Sequence, residues 1–405
     1  MTSTLESTPT GSELKLPVPS EMLAAKQFIV DEGTRLCAAA CGNRARAVVL
    51  TGSMSRGETT LKRDGGGWRV LGDATFLVVF DVSVPFHTSN VERAIEQRLA
   101  DAGIECKVVV VMMTTDQLRK MHPHIYAYEL RERGVALWGD KEILQQLPAF
   151  RAADIPTEDG WWLLCNRMIE QLESAARTAA VDDTSTAVQY RIAKLYLAMA
   201  ACYLLAVGRY EPSYRDRAAR LRELSETNEI ACPIPLARFS EVVSLCTELK
   251  LSGESPAASS QFPRWPDAVL DAQAVWAWVL VQIVGLDSKC GRGELMAALA
   301  ARQSLLARGK GWLRAGLVRR SELLQYWRRW ARLALTASPR YLVYGAASEL
   351  FFSASAPDAV PSAELAAIAA KLPLTSPDGK QPLCWRDVAG TVAYNFRVLL
   401  ESNRS

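Results

Sequence analysis

The 405-residue sequence predicts an α+β protein: a small mixed β-sheet domain carrying helices, followed by a mostly α-helical bundle domain. Three observations lead there. Apolar runs of strand length recur at 46–50, 70–80, 107–113 and 135–138, with helical periodicity between them. Beyond residue 155 strand signals vanish and one helical pattern follows another. The length itself suggests two domains or more. The expected division is a disordered terminus over 1–18, an α/β domain over 19–150 and a helical domain over 151–405.

The elements follow in order. Residues 1–13 are rich in Ser and Thr without an apolar core, which reads as disorder rather than a signal or anchor. A helix is expected over 19–40, capped by Ser20. Its Cys37 and Cys41 share a face; with three histidines in the whole chain they read as buried thiols rather than metal ligands. A short strand over 46–50 leads to a helix or turn from Met54. Residues 58–69, with a Gly-rich tip, read as a hairpin or loop. On the strand over 70–80, Asp73 and Thr75 share one face, Ala74 and Phe76 the other. A helix over 90–102 places Val91, Ile95 and Leu99 on one side and stops at Gly103. A third strand spans 107–113. Helices over 115–121 and 125–133 break at Pro123, and 135–138 closes the unit as a strand. Alternation of this kind suits a small sheet with helices on one face. Helices are then expected over 160–178, 185–208, 214–227, 235–251, 268–284, 292–308, 320–336, 340–353, 362–371 and 385–402. They show no fixed repeat period, so no solenoid is expected.

The sequence Gly52-Ser53 after the first strand, Arg56-Gly57-Glu58 behind it and Gly72-Asp73 entering the next strand resemble the catalytic core of the DNA polymerase β-like nucleotidyltransferases. Glu129-Leu130 and Trp138-Gly139-Asp140 resemble the closing helix and strand of bacterial domains of that kind. Together these stretches fall in the first third of the chain. The resemblance implies a nucleotidyltransferase-like domain over 19–150. It implies transfer of a nucleoside monophosphate from a nucleoside triphosphate, with magnesium, to a small molecule, a protein or an RNA end. It also implies that Gly52 and Ser53 cradle phosphate, Arg56 supports it, Thr75 lies in the nucleotide site and Asp73 holds the metal. Glu105, entering the third strand, is implied as a further ligand or base. The family carries a second acid two residues beyond the first; here that position is Thr75, a neutral hydroxyl and a weaker magnesium ligand than a carboxylate. Glu58 and Asp64 are other oxygen sources. Two readings therefore stand: a magnesium-dependent transferase, and a catalytically inactive homologue that binds a nucleotide or a protein partner.

The net charge of +3 gives no global attraction to nucleic acid. The one asymmetry is the basic stretch 308–332, from Arg308 to Arg332, where Arg interleaves with Trp. It reads either as a site for an anionic partner or as a core-facing pair, Trp327 and Trp330, with a solvated basic side. Trp161 and Trp162 read as an interface seal. Asn166 and Arg167, early in the first bundle helix, read as a surface pair or as completing the nucleotide pocket. His122 and His124 read as a surface turn. No run has the uninterrupted length of a membrane helix; the most apolar, 268–286, is broken by Asp271, Gln273 and Gln282 and reads as a buried helix. A cytoplasmic location and no membrane partner are expected.

Overall fold

The computed structural model describes residues 20–177, 186–227, 230–253, 262–287, 289–318, 320–375 and 384–404. The expected disorder of residues 1–18 lies outside them. Helix α1 (Ser20–Cys41) buries Ala25, Ile29, Gly33, Cys37 and Cys41, a strict four-residue spacing that forms one stripe. That stripe lies on a five-stranded sheet: β1 (Ala45–Thr51), β2 (Leu61–Asp64), β3 (Gly67–Phe80), β4 (Ile104–Thr114) and β5 (Val135–Gly139). Strand β3 is the spine. Its second half pairs antiparallel with β1, its first half antiparallel with β2, and its other edge parallel with β4. Strand β5 pairs antiparallel with β1 on the far side. The expected hairpin forms between β2 and β3, with Gly65 and Gly66 at its tip, both with positive φ.

Alternation along β3 separates two cores. Ala74, Phe76, Val78 and Phe80 face α1 and α3 (Thr88–Asp101). Leu77 and Val79 face α4 (Thr115–Arg119) and α5 (Ile125–Arg133). Helix α3 is the crossover that parallel β3 and β4 require. It buries Val91, Ile95 and Leu99, as the sequence spacing predicts. Its Glu92 and Glu96 accept from the backbone N–H of Val110 and Val108, both at 2.9 Å. Donors on the free edge of β4 are thereby capped.

The helical half comprises α6 (Thr157–Arg177), α7 (Thr186–Ala206), α8 (Tyr214–Thr227), α9 (Leu236–Ser252), α10 (Trp265–Val284), α11 (Arg292–Ala301), α12 (Leu305–Val318), α13 (Arg320–Thr336), α14 (Pro339–Phe351), α15 (Ser362–Ala370) and α16 (Trp385–Arg404). The fold is α+β, a small sheet unit followed by helices. Helix α7 is buried along most of its length and anchors the principal core with α6, α9 and α10. Trp161 is fully buried against Trp276, Tyr341 and Tyr344, so it belongs to the bundle core. Helix α10 is long and apolar enough to cross a membrane by composition, yet Val269, Ala272, Val275 and Trp276 lie inside this core. Its Asp271 is received by Tyr196 and Arg238, which explains an acid in the most apolar stretch.

Two expectations are corrected. The single helix expected over 292–308 ends at Ala301, and a separate α12 starts at Leu305. Trp327 and Trp330 do not share the core-facing side. The backbone leaves helical geometry at Tyr326 (φ −116°, ψ 21°), and Trp330 is buried against Trp312 while Trp327 is 57% exposed.

Gly33 is a packing requirement. A Cβ placed there would lie 2.1 Å from Cζ of Phe76. Gly33→Ala, although favourable for helix propensity, is expected to lower stability by about 1–3 kcal/mol through overpacking, read by urea denaturation.

Candidate functional site

The site is built where β1 hands over to β2 along β3. Thr51 pairs with Thr75, and Leu61 pairs with Val70. Residues 71–74 between them take no partner from β1 or β2. On the other edge the ladder slips: Arg69 pairs with Glu105, but Asp73 already pairs with Lys107. This bulge swings Gly72 and Asp73 outward, the kind of re-aiming that bulges produce. Both are exposed.

Gly52 turns the chain out of β1 at φ +75°. A Cβ there would lie 3.7 Å from Thr75 Oγ1, so Gly52 and Thr75 abut. Ser53 follows in the one-turn helix α2 (Gly52–Ser55), and its Oγ lies 3.3 Å from Thr59 Oγ1. Gly52, Ser53 and Thr75 are half-buried. Strand alternation puts Asp73 on the face of Thr75, so the turn and the acid lie on the same side of the sheet.

Other expected members are engaged elsewhere. Arg56 is not free for phosphate. Its Nε donates to Glu58 at 3.0 Å and its Nη1 to Glu129 at 2.8 Å, and its side chain is 6% exposed. Burial alone would lower its pKa, but Glu129, Tyr214 and Glu58 overcome that and hold it above the ordinary value. The other Glu58 oxygen accepts from the N–H of Tyr214 at 2.6 Å and of Arg215 at 3.3 Å, orphan donors at the start of α8. Glu129 also accepts from Tyr210 at 2.6 Å. Arg56 is thus a buried tie between sheet and helices. Glu105 is exposed and bonded to Arg69 at 2.7 Å; the β4 residue in register with Asp73 is Lys107. Asp64 sits on the hairpin near the same Arg69, at 3.5 Å. His124 bonds the carbonyl of His122 at the surface. Burial pushes the Cys37 and Cys41 thiols up to about 12 and about 11, so neither is a reactive thiolate.

What faces Asp73 comes from the helices. Lys194 of α7 and Lys250 of α9 both feel the Asp73 carboxylate and the Arg167 guanidinium of α6. Lys250 is buried. Its Nζ donates to Tyr190 Oη at 2.7 Å, to Thr60 Oγ1 at 3.0 Å and to the Leu71 carbonyl at 3.4 Å. Tyr190 donates to the same carbonyl at 2.7 Å, an acceptor that the bulge leaves available. Arg167 and Lys194 share Glu170, and Arg167 Nε is buried without a partner among the described residues. Asn166 accepts from Tyr344 at 2.6 Å and serves the bundle. Arg167, Lys194 and Lys250 therefore stand against Asp73 and Glu170 at this junction. Only Arg167 was singled out by sequence. The two lysines lie on separate helices, with no local signal to join them to Asp73.

Burial pushes Lys250 down to about 7, aided by Lys194 and Arg167. Below about pH 7 the fold bears the full penalty of burying the ammonium. Between about 7 and the free value of 10.5 the unfolded chain keeps a proton that the fold has released, so this group stabilises progressively with rising pH. The stability of wild type relative to Lys250→Met is expected to rise across that window, by up to about 1.4 kcal/mol per pH unit. Urea denaturation of both proteins at several pH values measures it, and a pH-independent difference would refute it. For Arg56→Met, the buried Glu58 and the half-buried Glu129 lose their shared cation; a loss of about 3–5 kcal/mol is expected by the same method.

No family model matches the chain, and no curated protein does. Among solved structures, a spectinomycin adenyltransferase from Enterococcus faecialis, determined with ATP and spectinomycin, aligns at 11% identity and a TM-score of 0.37, over 62% of this chain and 98% of that one.

Proposed function

We propose that this chain is a nucleotidyltransferase-like protein that holds a nucleoside triphosphate by its phosphates, without a resident metal centre. The observation that carries the reading is the gathering of Arg167, Lys194 and Lys250 about Asp73. A triphosphate placed against Gly52 and Ser53 would meet Arg167 and Lys194, whereas Lys250 is spent on Tyr190, Thr60 and the Leu71 carbonyl; the unpartnered Arg167 Nε supplies a donor. Guanidinium suits planar, charge-assisted recognition of phosphate, and ammonium acts there as a point charge.

The donor set does not fit a resident magnesium ion. Asp73 is the carboxylate of this sheet face; Thr75 is neutral, Lys107 is in register beside Asp73, and Glu58 and Glu105 are held by arginines. Among the described residues no three His, Cys, Asp or Glu cluster to hold a metal. Magnesium is bound at such sites through one or two carboxylates together with substrate phosphates, so it would arrive with the triphosphate. Asp73 is the residue to meet it. The catalytically inactive homologue, binding a nucleotide, is the better reading of this arrangement than the magnesium-dependent transferase to an acceptor.

Calorimetric titration with ATP, in EDTA and in magnesium, separates the two. The proposal expects binding in EDTA, weakened about tenfold or more, roughly 1.4 kcal/mol, by Lys194→Ala or by Arg167→Ala. It also expects Thr75→Asp to weaken binding in EDTA by adding a negative charge. Binding that needs magnesium and disappears in Asp73→Ala would overturn it in favour of the transferase.

A further inference from the structure

Helices α12 and α13 expose an apolar surface. On α12, Leu306, Leu313 and Leu317 are 69%, 64% and 57% exposed, and spacings of seven and four put them on one stripe. On α13, Leu324, Trp327 and Leu335 are 79%, 57% and 80% exposed. None of these is displaced from the core by a packing defect, since Trp312 and Trp330 already face inward and pack together with ring centroids 5.3 Å apart. Large exposed apolar surface of this kind marks an interaction site.

The charge of the same segment identifies the occupant. Residues 305–336 hold eight Lys or Arg against one Glu, a net +7, in a chain of +3 overall. Lys310 falls within the leucine stripe of α12 and Arg314 beside it; Arg328 and Arg332 lie among the exposed residues of α13. Among the described residues these four make no ion pair with a carboxylate. Two other arginines are structural: Arg308 donates to the carbonyls of Leu335 and Ala300, and Arg329 to those of Ala369 and Leu372.

We propose that the α12–α13 surface docks on an anionic lipid bilayer. The leucines and Trp327 would enter the boundary between headgroups and acyl chains, while Lys and Arg reach lipid phosphates on their flexible stems. A second copy fits worse, because it would set +7 against +7. A nucleic acid would answer the charge and leave the leucines in water. The inference departs from the expectation of no membrane partner, which concerned spanning helices. It is independent of the nucleotide reading, since no residue is shared.

The test is co-sedimentation of the full chain with vesicles of phosphatidylcholine alone, or with a third replaced by phosphatidylglycerol. Binding to the anionic vesicles is expected, falling as salt rises. Leu313→Gln with Leu317→Gln should weaken it about fivefold or more, since apolar insertion contributes to the affinity. Arg328→Gln with Arg332→Gln should weaken it and flatten the salt dependence. All four sites are exposed, and thermal denaturation confirms that the variants fold. No binding to anionic vesicles, or equal binding by the leucine variant, overturns the proposal. So does a stable dimer in light scattering that the leucine variant abolishes, or capture of single-stranded DNA by both proteins alike.

Discussion

The architecture turns on a buried guanidinium. Arg56 follows the one-turn helix α2 that leaves the first strand and is held by Glu58 from its own loop and Glu129 from α5. Glu58 in turn supplies acceptors to the first N–H groups of α8, and Tyr210 donates to Glu129. Arg217 closes the cluster, stacked on Tyr210 and Tyr214. A charge so far from water is tolerated only with near-complete pairing. Each partner is thereby fixed, and with it the seating of the helices on the sheet. That seating is what brings Lys194 and Lys250 to Asp73.

The electrostatic sign of the site follows from this seating. The site gathers bases around one exposed carboxylate. Asp73 is flanked in the sheet by Lys107, and the helices add Arg167, Lys194 and Lys250. Lys250 also stitches the two halves directly, because its ammonium reaches Thr60 and the Leu71 carbonyl of the sheet while its own carbonyl accepts from Thr60.

Much of the sheet half was legible in the sequence because its signals are local. Apolar runs, the four-residue spacing of α3 and the Gly-rich hairpin tip each report on a few neighbouring residues. Asp73 and Thr75 sharing a face follows from strand alternation alone. The bulge that exposes Asp73 was not legible, because it depends on the register of β4. Nor was the fate of Arg56 and Glu105: charge type allowed a phosphate or metal role, and partners distant in sequence, Glu129 and Arg69, decided otherwise. The break between α11 and α12 was hidden by continuous helical composition across Ser304. The different burial of Trp327 and Trp330 came from Trp312, a partner on another helix that reaches Trp330, which no periodicity encodes.

Glu92 and Glu96 carry a consequence for assembly. By occupying the outward donors of Val108 and Val110, they leave this border of the sheet with carboxylates where an incoming extended peptide would need amides. Lengthening the ladder there would require stripping two anions from their hydrogen bonds and dehydrating them. Recruitment by strand addition is closed along that margin.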